Sequence, residues 1–108
     1  MARKKLETLT EQMYYVLLAL AKEPRHGYEI MQVVSQLTRG RVVLGAGTLY
    51  ALLARFEEVG YLYLFDTRDR RKYYALTSAG KTALEEEYRR LRQLVRDGAE
   101  ALGQEGLE

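Results

Sequence analysis

The 108-residue chain has no cysteine and no tryptophan, one histidine and one proline. Without cysteine there can be no disulfide, thiolate nucleophile or thiolate zinc site, and such a chain suits a reducing compartment. A single imidazole, His26, cannot build a His-based metal cluster or a triad with a cysteine nucleophile. The longest apolar run, Met13 to Ala21, is nine residues, whereas a membrane span needs ~20, and no signal-like region opens the sequence. Glu57 and Glu58 are adjacent, so on a helix they diverge and cannot work as an acid/base pair. Gly45-Ala46-Gly47 resembles the start of a dinucleotide loop, but Tyr50 stands where the third glycine belongs and no Gly-Lys-Ser/Thr follows. We therefore expect a cytoplasmic protein with no membrane partner, no cofactor, no metal and no catalytic residues.

What is present is a core and a divided charge. Apolar residues make up 47% and charged residues 30%, the balance of a globular chain. This length accommodates one domain and one appended element, and its core is marginal without staples or a partner. The net charge of +2 conceals a division: residues 1–84 hold 13 basic and 8 acidic groups, residues 85–108 hold 4 and 7. A net +5 segment that can face a polyanion thus precedes a net −3 segment.

Met1 to Lys5 forms a basic arm. Thr8-Leu9-Thr10-Glu11 fits a capping box, with Glu11 reaching back, so a helix should start near Thr8 to Thr10 and stop before Pro24. It is apolar all round, from Met13 to Leu20, which is more than one core-facing stripe requires. Beside Pro24 and Arg25, His26 reads as a helix-start or turn residue making one backbone hydrogen bond. A second helix is predicted from about Gly27 to Thr38, with Ile30, Val33, Val34 and Leu37 at helical spacing and Gly40 as the stop. Arg41 to Leu44 should be a loop or a bridge strand. A third helix should open at Gly45-Ala46-Gly47 and bury Leu49, Leu52, Leu53 and Phe56, ending at Gly60.

Tyr61 to Phe65 and Tyr73 to Leu76 read as strands joined by the charged turn Asp66 to Lys72. Thr77-Ser78 caps a last helix, from about Ser78 to Ala101. Along it Leu84, Tyr88, Leu91, Val95, Gly98 and Leu102 recur as a heptad-like seam that one copy cannot bury alone. The fold class expected is mainly α with a small β-hairpin: a winged helix-turn-helix plus a C-terminal dimerisation helix. The divisions are 1–7 for the arm, 8–77 for the DNA-binding domain, 78–102 for the dimerisation helix and 103–108 for a flexible tail. The homodimer contact should take Tyr14, Leu17 and Leu18 from the first helix and Leu84, Tyr88, Leu91, Val95 and Leu102 from the last.

Binding of double-stranded DNA needs cations for phosphates and a helix that can enter the major groove. Arg68, Arg70, Arg71 and Lys72 place four cations within five residues at the hairpin tip. A charged tip that only protects a sheet edge is the alternative. On the third helix, Gly47, Ala51, Ala54 and Glu58 make a small, smooth face flanked by Thr48, Tyr50 and Arg55, which can meet phosphates or base edges. Tyr50 can equally be a packing residue. The two glycines serve either close approach to a phosphate or an ordinary inter-helix turn. With few bidentate readers on this face, much of the specificity should come from DNA shape and half-site spacing.

The successive stretches His26-Gly27-Tyr28-Glu29-Ile30, Gly47-Thr48-Leu49-Tyr50, Gly60-Tyr61-Leu62 and Arg71-Lys72-Tyr73-Tyr74-Ala75-Leu76-Thr77-Ser78-Ala79-Gly80 resemble the signatures of PadR-like transcriptional regulators of the short-form subfamily. The resemblance spans about residues 9–102, with Ala51 where the family usually has proline. It implies a homodimeric winged-helix repressor in which Tyr28, Thr48, Leu49, Tyr50, Arg70, Arg71, Lys72 and Tyr73 lie near DNA. It also implies release by a small aromatic effector near the dimer contact, for which Tyr14, Tyr15 and Tyr88 are the available aromatic walls. The competing function is a winged-helix protein–protein interaction module that ignores DNA.

Overall fold

The computed structural model describes residues 8–104. The arm expected over 1–7 and positions 105–108 of the expected tail lie outside the described residues. The elements run α1 (Glu11–Ala19), β1 (Arg25–His26), α2 (Gly27–Thr38), α3 (Ala46–Val59), β2 (Leu62–Arg68), β3 (Arg71–Leu76) and α4 (Ser78–Leu102).

The start of α1 differs from the expected capping box in its second partner. Thr10 is the N-cap; its hydroxyl accepts from the Met13 amide at 3.2 Å, and the Met13 sulfur accepts from the Thr10 amide at 3.4 Å. A back-reaching side chain must stand three residues beyond the cap. With Thr10 as cap that position is Met13, and Glu11 is left to pair with Arg41 at 3.0 Å instead. At the other end the Arg25 Nε donates to the Ala19 carbonyl at 2.8 Å, satisfying one of the free acceptors of the last turn.

Between Pro24 and α2 lies an element the sequence reading missed. Arg25 and His26 form a two-residue strand, too short for any alternation to mark it, paired antiparallel with Tyr74 and Tyr73 of β3. The sheet order is therefore β1-β3-β2. His26 also N-caps α2, its Nδ1 accepting from the Glu29 amide at 3.4 Å while the Glu29 carboxylate accepts from the His26 amide at 3.2 Å. α2 ends through left-handed residues at Arg39 (φ 53°) and Gly40 (φ 79°). Leu37, expected on the apolar face, is exposed, and Thr38 takes the inward place. The Thr38 hydroxyl donates to the Val34 carbonyl at 2.9 Å and accepts from the Val42 amide at 3.0 Å, tying the loop to the helix. That loop in turn buries Val42 and Leu44 and leads into α3.

The strands run further than apolar content suggested. β2 continues through Asp66, Thr67 and Arg68, and β3 begins at Arg71, so the expected seven-residue turn contracts to Asp69-Arg70. Both residues have left-handed φ, 50° and 63°, the sign a two-residue type I′ hairpin demands. A β-bulge between Leu64 and Asp66 absorbs one residue of β2.

The core sits where three helices converge. Val16 and Leu17 of α1, Ile30 and Val34 of α2, and Leu49, Leu53 and Phe56 of α3 are fully buried. Tyr61, Leu62, Tyr74 and Leu76 close it from the sheet, and Leu84 closes it from α4. Each such side chain contributes about 1.5–3 kcal/mol on burial. Leu17 and Leu84 were expected at a subunit contact; both are instead consumed by the monomer's own core, since α1 and the first turns of α4 meet inside it. No helix among the described residues is long and apolar enough to cross a membrane.

Candidate nucleic-acid interface

α3 is anchored by its buried edge and bare on the other. Leu49 is fully buried, which removes it from direct contact with a ligand and makes it the residue that seats the helix. Ala46, Gly47, Thr48, Tyr50, Ala51, Ala54 and Arg55 are exposed. Residues at i, i+4 and i+7 share a helix face, so Gly47, Ala51 and Ala54 form one low, smooth surface with the half-exposed Tyr50 beside it. Arg55 stands at its edge, paired with Glu58 at 3.1 Å. The start of α3 has no side-chain cap on Gly45, so its first amides carry no acceptor from that residue.

The wing supplies the cations. Arg70, Arg71 and Lys72 are exposed on the turn and the start of β3. Arg68 is engaged within the hairpin: its Nε donates to Asp66 at 2.7 Å and its guanidinium lies 4.7 Å from the Tyr73 ring centroid. That hydrogen bond from Arg68, with the Thr67 amide, holds the Asp66 carboxyl below the ordinary aspartate range. A left-handed residue other than glycine is costly, of order 1 kcal/mol or more. Arg70 thus keeps its charge at the tip at the expense of turn stability, where glycine would serve the backbone better.

Helix and wing meet. Tyr28 at the start of α2, Tyr50 of α3 and Arg70, Arg71 and Lys72 of the wing line one open cleft of about 270 Å³, with His26 and Gly27 at its base. Tyr28 is 62% and Tyr50 54% exposed, unusual for tyrosines with no surface role. Gly27 leaves room for Tyr50 in this position: a Cβ there would lie 2.6 Å from the Tyr50 hydroxyl, the tip of an exposed ring that would have to shift. Of the residues expected near DNA, Tyr28, Tyr50, Arg70, Arg71 and Lys72 are brought together. Tyr73 is half-buried, its ring edge-on to His26 at 5.1 Å. His26 and Gly27 were not read as site residues; the glycine between a histidine and a tyrosine was the available signal, and the missing strand β1 concealed it.

The aromatic residues assigned to an effector divide. Tyr14 and Tyr88 line a second cleft, of about 150 Å³, with Leu91, Arg92 and Val95. Burial first, then the nearby Tyr88, raises the Tyr14 hydroxyl above the usual tyrosine range. Tyr15 does not line it; its hydroxyl accepts from Arg41 at 2.9 Å on the side of the α2–α3 loop. Leu18 is half-buried, whereas Val95 and Leu102 of α4 are 50% and 72% exposed.

Residues 16–86 match the model of the transcriptional regulator PadR-like family. A protein of Lysinibacillus sphaericus, described as uncharacterized protein X, is 38% identical over 102 residues, covering 86% of this chain and 87% of its own. A PadR-like transcription factor from Bacteroides fragilis superposes with a TM-score of 0.70 at 30% identity, over 83% of this chain and 88% of that one. The fold also matches Bacillus subtilis PadR in complex with operator DNA, with a TM-score of 0.64 at 22% identity, over 71% of this chain and 46% of that chain. With the family match spanning both the exposed helix and the wing, the chain belongs to the PadR-like family of transcriptional regulators.

Proposed function

We propose that the protein is a homodimeric, sequence-specific DNA-binding repressor of the cytoplasm, released from its operator by a small aromatic compound. The observation that carries this reading is the junction of the smooth α3 face with three exposed wing cations through Tyr50. On this reading residues 8–77 bind DNA, residues 78–102 pair two copies, and α3 enters the major groove while Arg70, Arg71 and Lys72 neutralise phosphates beside it. Two copies related by a two-fold axis read a near-palindrome with half-sites one or two helical turns apart. Tyr14 and Tyr88 form the walls for an aromatic effector beside the pairing helix, where a ligand can bias how two heads are spaced.

Selection of binding sites from random duplex DNA supplies the operator, and titration across a salt series tests the mechanism. Affinity should fall steeply with salt. Replacing Arg70, Arg71 and Lys72 together by Ala should reduce the logarithmic salt slope by about 5, at roughly 0.9 per phosphate contact with three contacts in each of two copies. No binding at low salt would overturn the reading, and an unchanged slope would remove the wing from it.

A further inference from the structure

At the base of the helix–wing cleft two hydrogen-bond donors face each other. The His26 ring is only 6% exposed. It is fixed from three sides: its backbone pairs with Tyr73 in the sheet, its Nδ1 accepts from the Glu29 amide, and the Tyr73 ring abuts it at 82°. With Nδ1 accepting, the ring proton resides on Nε2. That Nε2 lies 3.5 Å from the Arg71 Nη1. In the tautomer that the Glu29 amide bond to Nδ1 selects, Nε2 and Arg71 both donate, so neither satisfies the other; the opposite tautomer would let Nε2 accept from Arg71. The nearby acceptor, Glu29 Oε1, is 3.7 Å from Nε2 and already receives the His26 amide. Two N–H groups converging without an acceptor between them, in a cleft with Arg70 and Lys72 on its wall, are arranged for an anion. The cleft also opens at the positive end of the twelve-residue α2.

We propose that this cleft seats one backbone phosphate of bound DNA, a non-bridging oxygen accepting from His26 Nε2 and Arg71 Nη1, with the Tyr50 hydroxyl as a further donor. The inference rests on the DNA-binding reading and assigns roles to two residues outside the helix and the wing tip. His26 is the fixed donor, and Gly27 is the space that lets Tyr50 lie over the start of α2. The phosphate would join three elements, β1, α3 and β3, and so set the register of the wing relative to α3. A neutral histidine adds a directional hydrogen bond without adding a counterion, which separates its role from that of Arg71.

The test uses the full chain and the selected operator, with single phosphates replaced one at a time by neutral methylphosphonates. In the wild type, one position per half-site should cost about ten-fold in affinity through the lost charge-assisted bonds. In Arg71→Ala that penalty should fall to about two-fold or less, and in His26→Asn, where Arg71 remains, to about three- to five-fold, on the same double-mutant logic, while penalties at other positions persist. Asparagine keeps an N-cap acceptor for the Glu29 amide but cannot reach the Nε2 position. Arg71 is exposed on the wing, so its variant is available even if the histidine variant is unstable by thermal melting. If DNA is bound and every single-phosphate penalty is the same in variant and wild type, the seat is wrong and the DNA-binding reading survives. If no duplex is bound at all, both fall.

Discussion

The two halves of α4 share one helix and one apolar spacing, yet they have opposite surroundings. From Ser78 to Glu87 the helix is seated: Gly80, Leu84 and Glu87 are buried. Its first turn is locked by the Thr77 hydroxyl, which donates to the Gly60 carbonyl and accepts from the Gly80 amide. From Tyr88 to Leu102 it leaves the head; Tyr88, Leu94, Val95 and Leu102 are at least half exposed. The radius of gyration, 15.3 Å, exceeds the ~13 Å of a spherical domain of this length. A 25-residue helix measures about 37 Å, so most of the excess is its free part. A heptad-like pattern therefore marks a face, and only the packing decides whether that face belongs to the head or to something outside it.

The comparison breaks most severely at Gly80. A Cβ there would overlap the Tyr61 carbonyl oxygen, a backbone atom that cannot swing aside. Gly80→Ala should cost about 3 kcal/mol or more, lowering the melting temperature by roughly 10 °C or more in a domain of this size. Melting within about 2 °C of wild type would mean that α4 is not seated against the Tyr61 backbone as described. Leu84→Ala, which opens a cavity in the same joint, should cost about 2–5 kcal/mol.

In the distal half, the same style of substitution should spare folding and change assembly. Val95→Glu and Leu91→Glu place a carboxylate on the proposed pairing face without touching the buried core. Melting of the head should move by under about 1 kcal/mol equivalent, as for surface changes. Light scattering should report monomer, and operator affinity should drop by about a hundred-fold as two half-sites cease to be held together. A dimer that persists in both variants transfers the pairing face to another surface, with α1 the next to test.

The fold was legible where a segment had enough turns to display a period. α2 and α3 match their expected limits because the repeating apolar positions, three of the four expected in α2 and all four in α3, agree with a terminal glycine. The seam on α4 was legible as a pattern but not as a contact: Leu84 and Leu17 look like interface residues in sequence, since burial inside one copy and burial between two copies use the same side chains. β1 was not legible, because two residues carry no alternation and their pairing with β3 spans more than forty positions of chain. Without β1, His26 has no fixed place beside Arg71, so the base of the cleft was hidden along with it. The wing cations, in contrast, could be read directly from a run of charge, and only their turn was misjudged in length.

Glu87 lies at the boundary between the two halves and offers the finest probe of it. Its carboxylate is buried and accepts from Arg90 Nη2 at 2.7 Å and Nε at 2.9 Å, a bidentate pair within α4. The hydrogen bonds from Arg90 outweigh burial and hold the carboxyl below the ordinary glutamate range. A carboxyl whose folded pKa is depressed stabilises the fold above its unfolded pKa, and that contribution disappears as pH falls through the folded value. Arg90→Ala should therefore melt below wild type near neutrality, with the gap closing as the solution is acidified past the glutamate range. Because Arg90 itself is about half exposed, salt should narrow the gap as well, making this the smallest of the expected effects. An equal gap at neutral and strongly acidic pH would show that Arg90 supports α4 through its aliphatic stem rather than its charge.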